Sequence, residues 1–119
     1  MIHEVDKYLF SHAGVYLEWT KKYEITLEEL FDFKKFLGGR WNTLEDLSYT
    51  RGGWCKVGSC VWADIRESVN NELPLMFRQI VGHTQMQEKP YITTRIACLD
   101  VRQCFILDTE TDEIMGIDA

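Results

Sequence analysis

Apolar residues fall along the chain in short unbroken runs near the start and in the last third, with one helical stripe between them. Tyr8-Leu9-Phe10, within 7–14, is followed by the small polar cluster Ser11-His12-Ala13-Gly14, the pattern of a buried strand that ends in a loop. Thr26-Leu27-Glu28-Glu29 has the form of a capping box, in which the threonine oxygen accepts from the backbone three residues on and Glu29 reaches back. It predicts a helix to about Leu37, with Leu27, Leu30, Phe31, Lys34 and Leu37 on one stripe and Gly38-Gly39 placed to close it. Phe31, Phe33 and Phe36 are expected to pack against neighbouring elements rather than to line a ligand site.

From Arg40 to Gly58 no period is visible; Trp41, Trp54 and three glycines are mixed with polar residues, which predicts a long surface excursion reaching to about residue 62. Val61-Trp62 reads as a short extended piece, and 67–72 as a helical turn that Leu73-Pro74 interrupts. After Phe77 the pattern changes. Gln79-Ile80-Val81 runs into Gly82-His83-Thr84-Gln85, a second buried strand with a glycine-histidine loop at its end. The stretches 91–94, 96–101, 104–108 and 113–117 are β-branched or alternating, and Thr109-Glu110-Thr111-Asp112 is a hairpin turn candidate. The expected class is α+β: strand, helix and loop, then a β-meander.

Composition narrows the function classes. The 119 residues hold one small domain, and 45% apolar with 27% charged residues is a folding composition rather than a disordered or fibrous one. With 13 basic against 19 acidic residues, the net charge of −6 argues against a nucleic-acid or anionic-membrane partner. It leaves phosphate chemistry open, because bound metal ions supply positive charge locally. No apolar run is long enough to span a bilayer, and the acidic start around Glu4 and Asp6 is unlike a secretory signal, so a cytoplasmic location is expected. Cys55, Cys60, Cys98 and Cys104 are then free thiols, whose spacings match no tight zinc knuckle. A mononuclear zinc site built from Cys55, Cys60 and a histidine stays open as a minor alternative.

Two of the three histidines occupy equivalent places. His12 and His83 each stand just past the C-terminal end of an apolar strand, the edge at which layered α/β proteins build their sites. A neutral imidazole there is a good transition-metal ligand, and Gly14 or Gly82 beside it would let backbone or substrate approach. Taken singly, each also fits an ordinary loop histidine with a hydrogen-bond partner. His3, near the terminus, has no such setting and is expected to fray.

Phe10-Ser11-His12-Ala13-Gly14-Val15 and, about seventy residues later, Ile80-Val81-Gly82-His83-Thr84-Gln85 resemble the last two histidine motifs of the calcineurin-like metallophosphoesterases. The resemblance is to the bacterial branch that holds serine/threonine protein phosphatases and diadenosine tetraphosphatases. Val61-Trp62-Ala63-Asp64-Ile65-Arg66 resembles that branch's tryptophan-arginine segment, and Ile96-Ala97-Cys98-Leu99-Asp100 with Cys104-Phe105-Ile106-Leu107-Asp108 resembles its closing strands. The resemblance implies a hydrolase that cleaves phosphoesters at a dinuclear centre of divalent ions (Mn, Fe, Zn or Mg). His12 and His83 would ligate the second ion and Arg66 would contact substrate phosphate. Asp64 departs from the pattern by standing between tryptophan and arginine, so Arg66 also fits an ordinary surface role.

The family's Asp-x-His, Gly-Asp and Gly-Asn-His motifs do not occur in this sequence. Two histidines cannot hold a dinuclear centre, since each ion needs three or four ligands. The expectation is therefore the C-terminal half of a four-layer α/β/β/α sandwich, inactive alone and binding metal weakly, with catalysis in a parent enzyme. The competing reading is a non-catalytic α+β interaction module. Either would leave sheet edges exposed and so allow a homodimer.

Overall fold

The computed structural model describes residues 2–68 and 78–117. The chain is a mixed α and β structure with one five-stranded mixed sheet, a separate two-stranded hairpin and a few short helices. The strands are β1 (Ile2–Val5), β2 (Tyr8–Ser11), β3 (Arg78–Val81), β4 (Tyr91–Ile92) and β5 (Ile96–Cys98), arranged β1-β2-β3-β5-β4. Strand β2 runs parallel to β3, and β3 runs parallel to β5; β1 and β4 are antiparallel edges. The hairpin is β6 (Cys104–Leu107) against β7 (Ile114–Ile117).

The alternation of side chains along the strands explains the layering. Leu9, Val81, Ile96 and Cys98 face a core shared with Trp19, Leu30 and Phe36 of the helices, whereas Tyr8, Ile80 and Ala97 face Leu107 and Ile114 of the hairpin. The sheet is thus covered by helices and loops on one face and by the hairpin on the other. Asp112, at a left-handed φ of 65° in the hairpin turn, is bound by Lys7 and Tyr8 through its carboxylate and by Arg78 through its carbonyl, which ties the turn to the sheet.

Several expected elements take a different form. The last third is not a meander: β4 and β5 join the large sheet through β3, and β6 and β7 pair only with each other. Local alternation predicts strands but not partners, and the parallel neighbours here close over a long crossover. Ile2–Val5 does not fray; Ile2 is buried and His3 pairs with Phe10. Helix α1 (Leu17–Lys22) was not predicted, for it lacks a side-chain cap and spans under two turns.

The capping box forms as expected, with the Glu29 amide donating to Thr26 Oγ1 at 3.2 Å and the Thr26 amide donating to Glu29 Oε1 at 3.2 Å. The single helix expected from it is broken at Asp32 into α2 (Leu27–Phe31) and α3 (Phe33–Arg40). Leu30 and Phe36 are both buried, yet six residues on one straight helix would point them about 120° apart. The break lets both reach the core, where Phe36 packs edge-on to Trp19 and stacks with Phe33. Gly38-Gly39 lie inside α3 rather than ending it, and Arg40 at its end donates to Glu29 and to the Tyr23 carbonyl.

The excursion contains short 3₁₀ turns at Trp41–Glu45 and Tyr49–Arg51 and an isolated bridge between Ser48 and Cys55. Trp54, 90% exposed, and Trp41 project outward, as a surface excursion requires. Polar groups hold the excursion together: Asp46 accepts from Lys22 and from the Tyr23 hydroxyl, and Glu67 accepts from the Ser48 hydroxyl and the backbone amides of Gly58 and Asp64. Val61-Trp62 is a turn rather than an extended piece. Ile65–Ser68 is a 3₁₀ turn that overlaps the expected helical turn at residues 67 and 68, and residues 69–77, with the rest of that turn and Leu73-Pro74, lie outside the described residues.

Candidate functional site

The two strand-end histidines meet. Because β2 and β3 are parallel neighbours, with Phe10 beside Ile80, their C-terminal ends deliver His12 and His83 to the same edge. His12 Nε2 lies 3.0 Å from His83 Nδ1, and the ring centroids are 4.8 Å apart. One ring nitrogen donates to the other, the direction being set by the tautomers. Backbone bonds lock the loops together: the Gly82 amide donates to the His12 carbonyl at 2.9 Å, and the Ala13 amide to the Cys60 carbonyl at 2.9 Å.

His83 is held in a conformation that β-carbon sterics disfavour. Its φ is 66°, and the Thr84 amide donates to the Gly82 carbonyl at 2.8 Å, so a tight three-residue turn is centred on the histidine. The Cys98 thiol, beneath this turn, donates to the Thr84 carbonyl at 3.3 Å. Strain of this kind persists only where the surroundings over-determine it, and it concentrates at functional sites. Of the two glycines expected to open the site, only Gly14 is required sterically. At φ 113° its added Cβ would stand 2.8 Å from the Tyr16 ring, whereas one at Gly82 would meet nothing closer than 3.7 Å.

Around the pair, Trp62 sets its ring edge-on to His83 at 5.7 Å, and Arg51 reaches in from the excursion. Arg51 Nη2 donates to Thr84 Oγ1 at 3.2 Å and lies 3.5 Å from the His83 carbonyl, while the same Thr84 oxygen accepts from the Ile65 amide. Burial, then the Arg51 charge and His12, pushes the His83 pKa below its ordinary value, with Asp100 and Asp64 opposing; the imidazole is therefore neutral near pH 7. His83 Nε2 is buried and without a hydrogen-bond partner among the described residues.

Arg66 stands on the rim, its side chain 72% exposed. Its Nε and Nη2 donate to Asp64 Oδ1 and Oδ2 at 2.9 and 3.1 Å. The Asp64 side chain is only 2% exposed. Burial alone would raise its pKa, but the Arg66 hydrogen bonds and the charges of Arg66 and Arg51 outweigh it, and the carboxyl stays below its ordinary value. The residue that departs from the family pattern is thus the one that orients the arginine.

A metal can be weighed against this donor set. Two imidazole nitrogens bound to one ion at ~2.1 Å lie about 3.0 Å apart at a right angle and about 3.4 Å apart at a tetrahedral one. The observed 3.0 Å fits two adjacent positions of a six-coordinate ion. Among the described residues no group of three or more His, Cys, Asp and Glu side chains is placed to hold a metal, so the two histidines by themselves fall short of a ligand set. Cys55 and Cys60 form no such group either. Cys60 is buried in the core, and burial pushes its thiol up to about 12.

The sequence singled out His12, His83 and Arg66 but not Arg51, Trp62 as a ring contact, or Thr84. Arg51 sits in an aperiodic stretch and reaches His83 across 32 residues of chain, so no local spacing could announce it. No helix among the described residues is long and apolar enough to cross a membrane. Compared with protein-family models, curated proteins and solved structures, the chain matches none.

Proposed function

We propose that this chain carries part of the metal centre of a metal-dependent phosphoesterase, with His12 and His83 as two ligands of one divalent ion. The observation that supports it most is the 3.0 Å approach of His12 Nε2 to His83 Nδ1 at the C-terminal ends of adjacent parallel strands. The strained turn at His83 and the neutral state of its ring support the same reading. In this reading the large sheet is one of the two central sheets of a four-layer sandwich, α1 to α3 are its outer layer, and the remaining ligands come from a partner polypeptide segment that carries the Asp-x-His, Gly-Asp and Gly-Asn-His motifs. A divalent ion held there would supply Lewis-acid polarisation of phosphate oxygens and an acidified water. The chain's own residues would orient: the edge-on Trp62 ring steadies His83, and Asp64 holds Arg66 by Nε and Nη2 so that its Nη1 end is left for substrate oxygens.

Mn²⁺ titration followed by electron paramagnetic resonance tests the ligand assignment. His12→Ala and His83→Ala are each expected to weaken binding at least about tenfold. Equal affinity in all three proteins would refute it. Adding a polypeptide that carries Asp-x-His, Gly-Asp and Gly-Asn-His is further expected to give Mn²⁺-dependent aryl phosphate hydrolysis that His83→Ala abolishes.

A second reading, a homodimeric interaction module, draws on the hairpin. Cys104 pairs with Ile117 and Ile106 with Met115, and all four side chains are exposed, so the hairpin's outward face is apolar. Strands β1 and β4 are also unpaired on their outer edges among the described residues. Sedimentation showing a dimer that Ile106→Lys dissociates would favour this reading; a monomer at all concentrations would exclude it.

A further inference from the structure

We propose that Arg51 is an oxyanion-binding residue of the histidine site, one that grips a phosphate group from the side of the excursion. The inference rests on the proposed function only for the source of that phosphate, a phosphoester rather than the free ion.

Three observations carry it. First, Arg51 is in contact with the histidine turn, through Thr84 Oγ1 and the His83 carbonyl, whereas among the described residues the Arg66 guanidinium bonds to Asp64 on the rim. Second, its donors are incompletely used. Arg51 Nε is 3.2 Å from Asp64 Oδ2, near enough for charge attraction, but its N–H is not aimed at that oxygen, and it is buried without a hydrogen-bond partner among the described residues. His83 Nε2 is also buried without a partner among the described residues, and it is a donor in the tautomer whose Nδ1 accepts from His12. A buried unpaired donor costs free energy that an acceptor would recover, and a tetrahedral oxyanion offers several acceptors in a small volume.

Third, the local charges set the side from which an anion can approach. Arg51 and Arg66 share the single buried carboxylate of Asp64, which leaves one positive charge uncompensated within that trio. The carboxylate of Asp100 lies beside Gly82 and acts on His83. Glu67, hydrogen-bonded by the Ser48 hydroxyl and two backbone amides, keeps its negative charge, which acts on Arg66. An anion is therefore expected to enter on the Arg51 side, near Thr84.

The test follows the arginine Nε–H resonances of the whole chain by nuclear magnetic resonance while inorganic phosphate is added, with and without Mn²⁺. The Arg51 signal is expected to shift and saturate. Arg51→Gln is expected to weaken phosphate binding about tenfold or more, and Arg51→Lys to recover only part, because it keeps the charge and loses the fork. An Arg51 signal that tens of millimolar phosphate does not move, or phosphate affinity within twofold in Arg51→Gln, would overturn the proposal. Should Arg51→Gln fail to fold, the wild-type signal decides alone. His83→Ala separates the two readings. Loss of the Mn²⁺ effect with an intact Arg51 response supports both, whereas an Arg51 response with no Mn²⁺ effect in wild type supports this inference and removes the metal centre.

Discussion

Gln79 is the residue whose replacement should tell most about how the site is held. It lies in β3 on the helix-facing side, 3% exposed, and its amide closes a two-bond ring with the backbone of Val15: the Val15 N–H donates to Oε1 at 2.8 Å and Nε2 donates to the Val15 carbonyl at 2.7 Å. It thus acts as a strand partner for a loop that has none, and it fixes the segment after His12 against the strand before His83. Replacing it with leucine keeps the approximate volume and orphans two buried backbone groups. Each orphan costs about 1–3 kcal/mol, and the added apolar burial returns about 1 kcal/mol, so the net loss is about 3 kcal/mol. That is a large share of the roughly 6–18 kcal/mol expected for a chain of this size. Urea unfolding monitored by tryptophan fluorescence should show the midpoint fall with an unchanged slope, and the melting temperature should drop by about 10 °C. Gln79→Glu supplies a pH signature. Ionised, it accepts from the Val15 N–H but repels the carbonyl; protonated, it donates as the amide did. Burial and that carbonyl raise its folded pKa above the unfolded value, so its deficit should shrink as pH falls below the folded pKa. A loss under ~1 kcal/mol in Gln79→Leu would show that the loop does not depend on this clamp.

Other outcomes follow from the same structure. Asp64→Ala should cost about 2–3 kcal/mol because it strips a buried acceptor from two guanidiniums, whereas Arg66→Ala should cost under ~1 kcal/mol because that arginine is mostly hydrated; equal losses by chemical denaturation would contradict the asymmetry. Gly14→Ala should destabilise by about 2 kcal/mol, since φ 113° and the Tyr16 ring both oppose a β-carbon, and a neutral result in the same assay would show that the loop relaxes freely. Toward a thiol-specific reagent, exposed Cys104 should react fastest, with Cys60 and Cys98 protected until unfolding because burial raises both thiols; mass-spectrometric mapping that finds Cys60 labelled as fast as Cys104 would refute it.

The parts of this architecture that were legible are those written in local chemistry. The capping box at Thr26 and Glu29 can be read because it needs only four residues, and the buried strands at Tyr8 and Gln79 because apolar runs bounded by small polar residues have few other uses. The illegible parts are set by distant partners. Ile2–Val5 has too few apolar residues to declare a strand and becomes one by pairing with β2. The interruption at Asp32 follows from Leu30 and Phe36 needing the same core, a demand that no stripe on a single helix records. Arg51 and Asp64 meet because the excursion is tied down by Glu67, whose partners lie on three separate turns.

Parallel pairing of β2 with β3 also explains why the histidines could be singled out before their contact was known. In an antiparallel pair, residues past the two C-terminal ends would sit at opposite edges of the sheet. In a parallel pair they share an edge, so two sequence-equivalent positions 71 residues apart converge by topology alone. What topology does not supply is the final approach. That comes from the left-handed φ at His83 and from the Gly82 amide bonded to the His12 carbonyl, which bring the two loops to within one hydrogen bond of each other. Relaxing that turn with His83→Gly, which removes the imidazole and the β-carbon penalty together, should raise stability while removing the imidazole from the site. A gain in denaturation midpoint with loss of Mn²⁺ affinity would mark the strain as kept for the site rather than for the fold, and a fall in the midpoint would refute that reading.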